Sequence, residues 1–151
     1  MKTSHRNFAL ERQALAEVRA VYQELSQRPV QRECIARTEC CQFQLTGLTP
    51  HLTKGEALLA AKAYRTTGRR AFPAEDDGVC PLLNRATGRC LIYAERPFGC
   101  RTHFCAAAGG PYSRSEVVDL IRRLEEIDVR LKGDGPRKLF AAVSDALGEL
   151  R

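Results

Sequence analysis

Between residues 6 and 27, apolar side chains recur at Phe8, Leu15, Val18, Tyr22 and Leu25. This spacing is close to the 3.6-residue period of an amphipathic α-helix. The helix is expected to end ahead of Arg28-Pro29, because a proline steers the residue before it out of the helical region. A second helix is predicted within LTPHLTKGEALLAAKAYRTTG. There Thr53 stands three residues ahead of Glu56 in a capping-box pattern, and the Ala/Leu-rich run stops at Gly68. The following RRAFPAEDDG contains Pro, Gly and acids and reads as an exposed connection.

Two short apolar pieces come next, Val79 to Leu83 and Cys90 to Tyr93, on either side of the turn-like NRATG. They predict one short β-hairpin that brings Cys80 and Cys90 towards each other. From Tyr112 the pattern is helical again. Ser113 and Glu116 form another capping box, and Val117, Leu120, Ile121, Leu124, Ile127 and Leu131 make one apolar face. KGDGP breaks that helix. Pro136 suits the first turn of a last one, lined by Leu139, Val143, Ala146, Leu147 and Leu150.

The expected fold is therefore mainly α: a small helical domain with a loop-rich centre, flanked by helices over about 6–27 and 113–150. A chain of 151 residues fits a single domain, 1–151, and on ordinary scaling buries about 68–70% of its unfolded surface without crosslinks. With 44% hydrophobic and 28% charged residues, the composition is that of a globular protein. No apolar run reaches the ~18 residues a membrane span needs, and MKTSHRNFALERQALAEV lacks the continuous apolar stretch of a secretory signal. The expected location is the cytoplasm, with no membrane partner.

That location governs how the seven cysteines, Cys34, Cys40, Cys41, Cys80, Cys90, Cys100 and Cys105, are read. Cytosolic thiols are kept reduced, so a cluster of them points to metal or redox chemistry rather than to a disulfide framework. The formal charge of +6 could signal nucleic acid. However, the basic residues are spread along the chain, and only Lys62, Arg65, Arg69 and Arg70 form a modest run. Thiolates around a metal would offset part of the excess. Nucleic acid is not the expected partner; a redox or protein partner is.

In intervening residues the cysteines read C-x5-CC-x38-C-x9-C-x9-C-x4-C, with no C-x2-C pair. This excludes the usual zinc-ribbon and thioredoxin spacings. What remains is a metal site assembled from distant segments. Cys40 and Cys41 are adjacent, and neighbouring Cα atoms lie about 3.8 Å apart, too close for an unstrained mutual disulfide. Successive side chains also point in different directions. The pair thus suits two metals, or two corners of a polynuclear cluster, better than one tetrahedral ion.

In order, CIARTECC, LTKGEALLAA, CPLLNRATGRCLIY, ERPFGCR and a last cysteine resemble the YkgJ-like cysteine-cluster proteins, described as zinc- or iron-chelating and often called iron–sulfur proteins. The specific part is Cys80-Pro81, Gly88-Arg89-Cys90, Ile92-Tyr93, Arg96-Pro97 and Cys100-Arg101. The resemblance implies a metal-organised centre over 34–105 with all seven cysteines as ligand candidates. The family's first motif is C-x2-C-x2-CC, and here Arg37 stands at the second cysteine's place. Eight thiols would divide into two four-coordinate sites, whereas seven do not. His103, two residues before Cys105, is the nearest candidate for an eighth ligand, against the alternative of an ordinary packing histidine. His5 and His51 are not expected to take part.

A [4Fe–4S] cluster needs four thiolates, whereas a six-thiolate binuclear zinc site needs six. The Cys80-Pro81 step echoes a bacterial ferredoxin ending, and with the family's habit it favours an iron–sulfur cluster over zinc. Arg37, Arg96 and Arg101 are candidates to lie beside the ligands, since nearby cations stabilise thiolates. Backbone N–H groups around Gly99 could donate to sulfur. Tyr93 and Phe98 are assigned to the core.

There is no Ser-His-Asp set, paired carboxylate, phosphate loop or dinucleotide fingerprint, and no catalytic residue is assigned. The expected function is electron transfer, or an accessory or sensor role. Two alternatives are carried: a structural zinc protein with a mono- or binuclear site, and a metal-dependent protein-modifying enzyme, because flagellin lysine methylases look similar in their cysteine-rich part. A regulatory or nucleic-acid-binding module using the basic surface is the third competitor.

Overall fold

The computed structural model describes residues 2–28, 49–73, 76–102 and 112–150. Helix α1 spans Lys2–Gln27, so it begins four residues earlier than the apolar pattern indicates. Strand β1 is His51–Leu52 and α2 is Lys54–Thr66. The hairpin pairs β2 (Leu83–Asn84) with β3 (Arg89–Cys90), and a 3-10 turn at Tyr93–Glu95 leads into the short helix α3, Phe98–Thr102. Helix α4 is Arg114–Arg130, followed by β4 (Arg137–Lys138) and α5 (Leu139–Glu149). The described residues are thus mainly helical, with two short antiparallel ladders.

Both capping boxes form. At α2 the Thr53 N–H and hydroxyl donate to Glu56 Oε2, each at 2.9 Å, and at α4 the Ser113 N–H donates to Glu116 Oε2 at 2.7 Å. The core gathers Val18 and Val21 of α1, Leu52 of β1, Leu59 of α2, Leu82 ahead of β2, Leu120 of α4, and Leu139 and Val143 of α5, all essentially inaccessible. Ala57, Ala60 and Ala61 of α2 and Ala142 and Ala146 of α5 are buried in the same cluster, and such small side chains let helices approach closely.

Helices α1 and α4 run antiparallel. Their exposed flank carries Glu17–Arg130, Glu24–Arg123 and Arg28–Asp119 in reversed order. Gly55 sits where they meet α2: a Cβ there would lie 2.9 Å from Val18 Cγ2 and 3.2 Å from Ile127 Cγ2.

Several expectations are corrected. Phe8 is 61% exposed, because α1's first half runs past the core; Ala14 and Val21 are buried instead. Tyr93 is likewise exposed, at 52%, while Phe98 is buried as expected. Pro136 opens no helix. Residues 137–138 pair with 51–52 in the register His51↔Lys138 and Leu52↔Arg137, so α5 starts only at Leu139. The connection after α2 is mostly exposed, yet Phe72 turns inward, with ring centroids 5.0 Å from Tyr64 and 5.6 Å from Phe140.

Asp128 is a buried carboxylate within α4. Its Oδ1 accepts the Lys54 N–H at 2.7 Å, and its Oδ2 accepts the Gly135 N–H at 2.9 Å. It thereby joins the start of α2 to the KGDG turn. Gly133 is required beside it, since a Cβ there would fall 2.2 Å from Asp128 Oδ1.

Candidate metal centre

Three of the seven cysteines lie within the described residues. Cys80 is buried and its carbonyl accepts the Leu83 N–H at 3.0 Å, forming the turn that enters the hairpin. Two Asx-type bonds shape the approach, Gly78 N–H to Asp76 Oδ1 at 3.0 Å and Val79 N–H to Asp77 Oδ1 at 3.1 Å. Cys90 is half-buried and stands opposite Leu83. Gly88, at φ +69°, supplies the left-handed step that closes the NRATG turn, and Asn84 Oδ1 accepts the Ala86 N–H at 3.0 Å. Cys100 is half-buried in α3, its N–H donating to the Pro97 carbonyl at 3.0 Å.

Cys34, Cys40, Cys41, Cys105, His103 and Arg37 lie outside the described residues, and so does the expectation about a vicinal pair. Among the described residues no three Cys, His, Asp or Glu side chains gather to hold an ion. Cys80, Cys90 and Cys100 are thus the described members of the seven-thiol candidate set. Thiolate sulfur is the ligand type that suits zinc and iron–sulfur clusters.

The described residues that flank the two segments bearing the other thiols are held in place. Arg28 closes α1 by donating to the Glu116 carbonyl at 2.9 Å and to both Asp119 carboxylate oxygens. Pro50, at the far end of the 29–48 segment, lies 3.5 Å from the Cβ position of Gly99 in α3. Thr102, the last residue of α3, accepts the Tyr112 N–H at 2.9 Å, across the 103–111 segment. All four ends therefore lie beside α3 or the start of α4.

Arg101 is half-buried. Its Nε donates to the Arg96 carbonyl and its Nη2 to the Ala94 carbonyl, both at 2.7 Å, and its guanidinium lies 4.2 Å from the Tyr22 ring centroid. Burial holds it below the ordinary arginine range, with the Tyr22 and Cys100 charges acting in the opposite direction. Arg96 donates from Nε to the Tyr93 carbonyl at 3.1 Å and lies over the Tyr93 ring at 4.0 Å. That stacking accounts for the exposed position of Tyr93. His51 is exposed in β1, its Nδ1 3.1 Å from the Thr49 carbonyl.

The sequence pattern points to Glu56 only as a cap, yet Glu56 is 3% exposed and serves three elements. Its Oε2 takes the two Thr53 donors, while its Oε1 accepts the Phe98 N–H at 2.8 Å and the Tyr22 hydroxyl at 3.2 Å. Burial raises the Glu56 carboxyl above the ordinary range, opposed by these hydrogen bonds. Burial and the Glu56 charge push the Tyr22 phenol well above its own range. One signal was available in the sequence. Pro97 precedes α3 and offers no side-chain acceptor, so the Phe98 N–H must find a partner elsewhere.

A family model covers residues 32–123, under the name CxxCxxCC and the description "Putative zinc- or iron-chelating domain". This span exceeds half of the chain and takes in all seven cysteines. No curated protein and no solved structure matches the chain. By its cysteine order and the extent of that match, this chain belongs to the CxxCxxCC family of zinc- or iron-chelating domains.

Proposed function

We propose that this chain is a small cytoplasmic protein whose cysteines hold an iron–sulfur cluster, and that it acts in electron transfer or as an accessory or sensor protein for a redox or protein partner. The ligands are drawn from Cys34, Cys40, Cys41, Cys80, Cys90, Cys100 and Cys105, with His103 as the candidate at the position that Arg37 leaves without a thiol. The observation that carries this reading is the convergence of Arg28, Pro50, Thr102 and Tyr112 about α3 and the start of α4. Of the described residues that flank the two thiol-bearing segments, Pro50 and Thr102 lie at the helix that carries Cys100, and Arg28 and Tyr112 at the start of α4.

The cations of the described surface support a protein rather than a nucleic-acid partner. Arg19, Arg28, Lys54, Lys62, Arg85, Arg123, Arg130 and Arg137 each face a carboxylate. Among the described residues these eight cations are engaged in ion pairs rather than left free to track a phosphate backbone. No helix among the described residues is long and apolar enough to cross a membrane.

The test is the visible spectrum of anaerobically purified protein before and after dithionite. An iron–sulfur centre gives broad absorbance that bleaches on reduction. A colourless protein loaded with zinc would replace this reading with a structural zinc site.

A further inference from the structure

We propose that Glu56 is the positioning residue of the metal centre: its buried carboxylate fixes the Pro97–Thr102 turn, and with it Cys100, against α1 and α2. The inference rests on the metal-binding reading above. A buried carboxylate is costly unless its oxygens are hydrogen-bonded, and the four donors on Glu56 use both.

Capping alone does not account for the burial. The Ser113–Glu116 box performs the same local task at α4 with both residues exposed. What distinguishes Glu56 is reach: Phe98 lies 42 residues away and Tyr22 lies 34 away. Phe98 N–H opens the helix that carries Cys100 two residues later, and Pro97 beneath it is fully buried. The other side of the turn is gripped through the same carboxylate, because Arg101 stacks on the Tyr22 ring whose hydroxyl Glu56 accepts. All four hydrogen bonds to the Glu56 carboxylate come from donors. In Glu56→Gln the amide NH2 must therefore face donors at one of its two ends, either Thr53 or the Phe98/Tyr22 pair.

Asp128 supplies a matched control. It too is a buried carboxylate, on α4 facing the start of α2, but its oxygens accept the Lys54 and Gly135 N–H groups rather than donors from α3 or Tyr22. The experiment uses the full chain as wild type, Glu56→Gln, Asp128→Asn and Tyr22→Phe. Metal affinity is read by competition with a chelator. The rate at which iodoacetamide alkylates Cys100 in the metal-free protein is read by peptide mass spectrometry.

Glu56→Gln is expected to lower metal affinity about 10–100-fold, the usual effect of losing a partner that orients a ligand, and to speed Cys100 alkylation. Tyr22→Phe shifts both the same way by less and keeps the test open should Glu56→Gln fail to fold. Asp128→Asn lowers the melting temperature and moves neither readout. Wild-type values in both Glu56→Gln and Tyr22→Phe, or an equal shift in Asp128→Asn, would overturn the assignment. A wild type that binds no metal removes the metal-binding reading, and the alkylation rates then decide the role of Glu56 alone.

Discussion

The Tyr112 N–H donates to the Thr102 carbonyl at 2.9 Å, so the segment bearing His103 and Cys105 leaves α3 and re-enters the fold at one point. Arg28, whose side chain bonds Glu116 and Asp119, brings the start of the segment bearing Cys34, Cys40 and Cys41 to the same end of α4. A cluster that draws ligands from both segments and from α3 would join three parts of the chain. Binding and folding are linked in such sites. Cys41→Ser and Cys100→Ser are each expected to lose most bound metal and to melt at clearly lower temperature than wild type. Elemental analysis with thermal unfolding checks this, and full occupancy with unchanged melting in both variants would contradict the cluster.

The Arg28–Asp119 clamp also predicts a pH dependence. Its hydrogen bonds hold the Asp119 carboxyl below its ordinary value of 3.8. In acid the unfolded chain therefore binds more protons than the native one at this site. The contribution is complete above that ordinary value and is lost as pH falls through the lowered native value. The pair is exposed, so the effect is small. Asp119→Asn should melt below wild type near neutral pH, and the gap should close in acid. Melting curves across the acid range would reveal a constant or widening gap if the pair did not act this way.

Helix approach at Gly55 gives a packing test. Gly55→Ala places a methyl 2.9 Å from Val18 Cγ2 and 3.2 Å from Ile127 Cγ2. Overpacking of this kind costs about 1–3 kcal/mol, against a gain of at most about 1 kcal/mol from helix propensity. A net loss is expected by urea unfolding. Increased stability would mean that α1, α2 and α4 are not in close contact there.

Much of the architecture could be read from periodicity and caps, since the helices containing Leu120 and Val143 each bury one stripe, whereas α2 is buried at every position from Gly55 to Ala61. The misplacements have local causes. Phe8 shares the period of Leu15 and Val18, but α1 is 26 residues long, about 39 Å at 1.5 Å per residue, and outruns the surface it packs on. Tyr93 resembles a core residue until Arg96 is found over its ring. Pro136 is compatible with a helix start, and only the pairing of Leu52 with Arg137, far apart in sequence, makes the next residues a strand. The candidate site was legible as a set of thiols. Glu56 was not, because its contacts with Tyr22 and Phe98 span distances that no local pattern encodes.

Whether the cysteines hold an iron–sulfur cluster is measured most directly by iron, zinc and acid-labile sulfide per chain in protein purified without oxygen. Iron and sulfide are expected in comparable amounts, as a [4Fe–4S] cluster on four thiolates requires. Zinc without sulfide, or no bound metal, would contradict it.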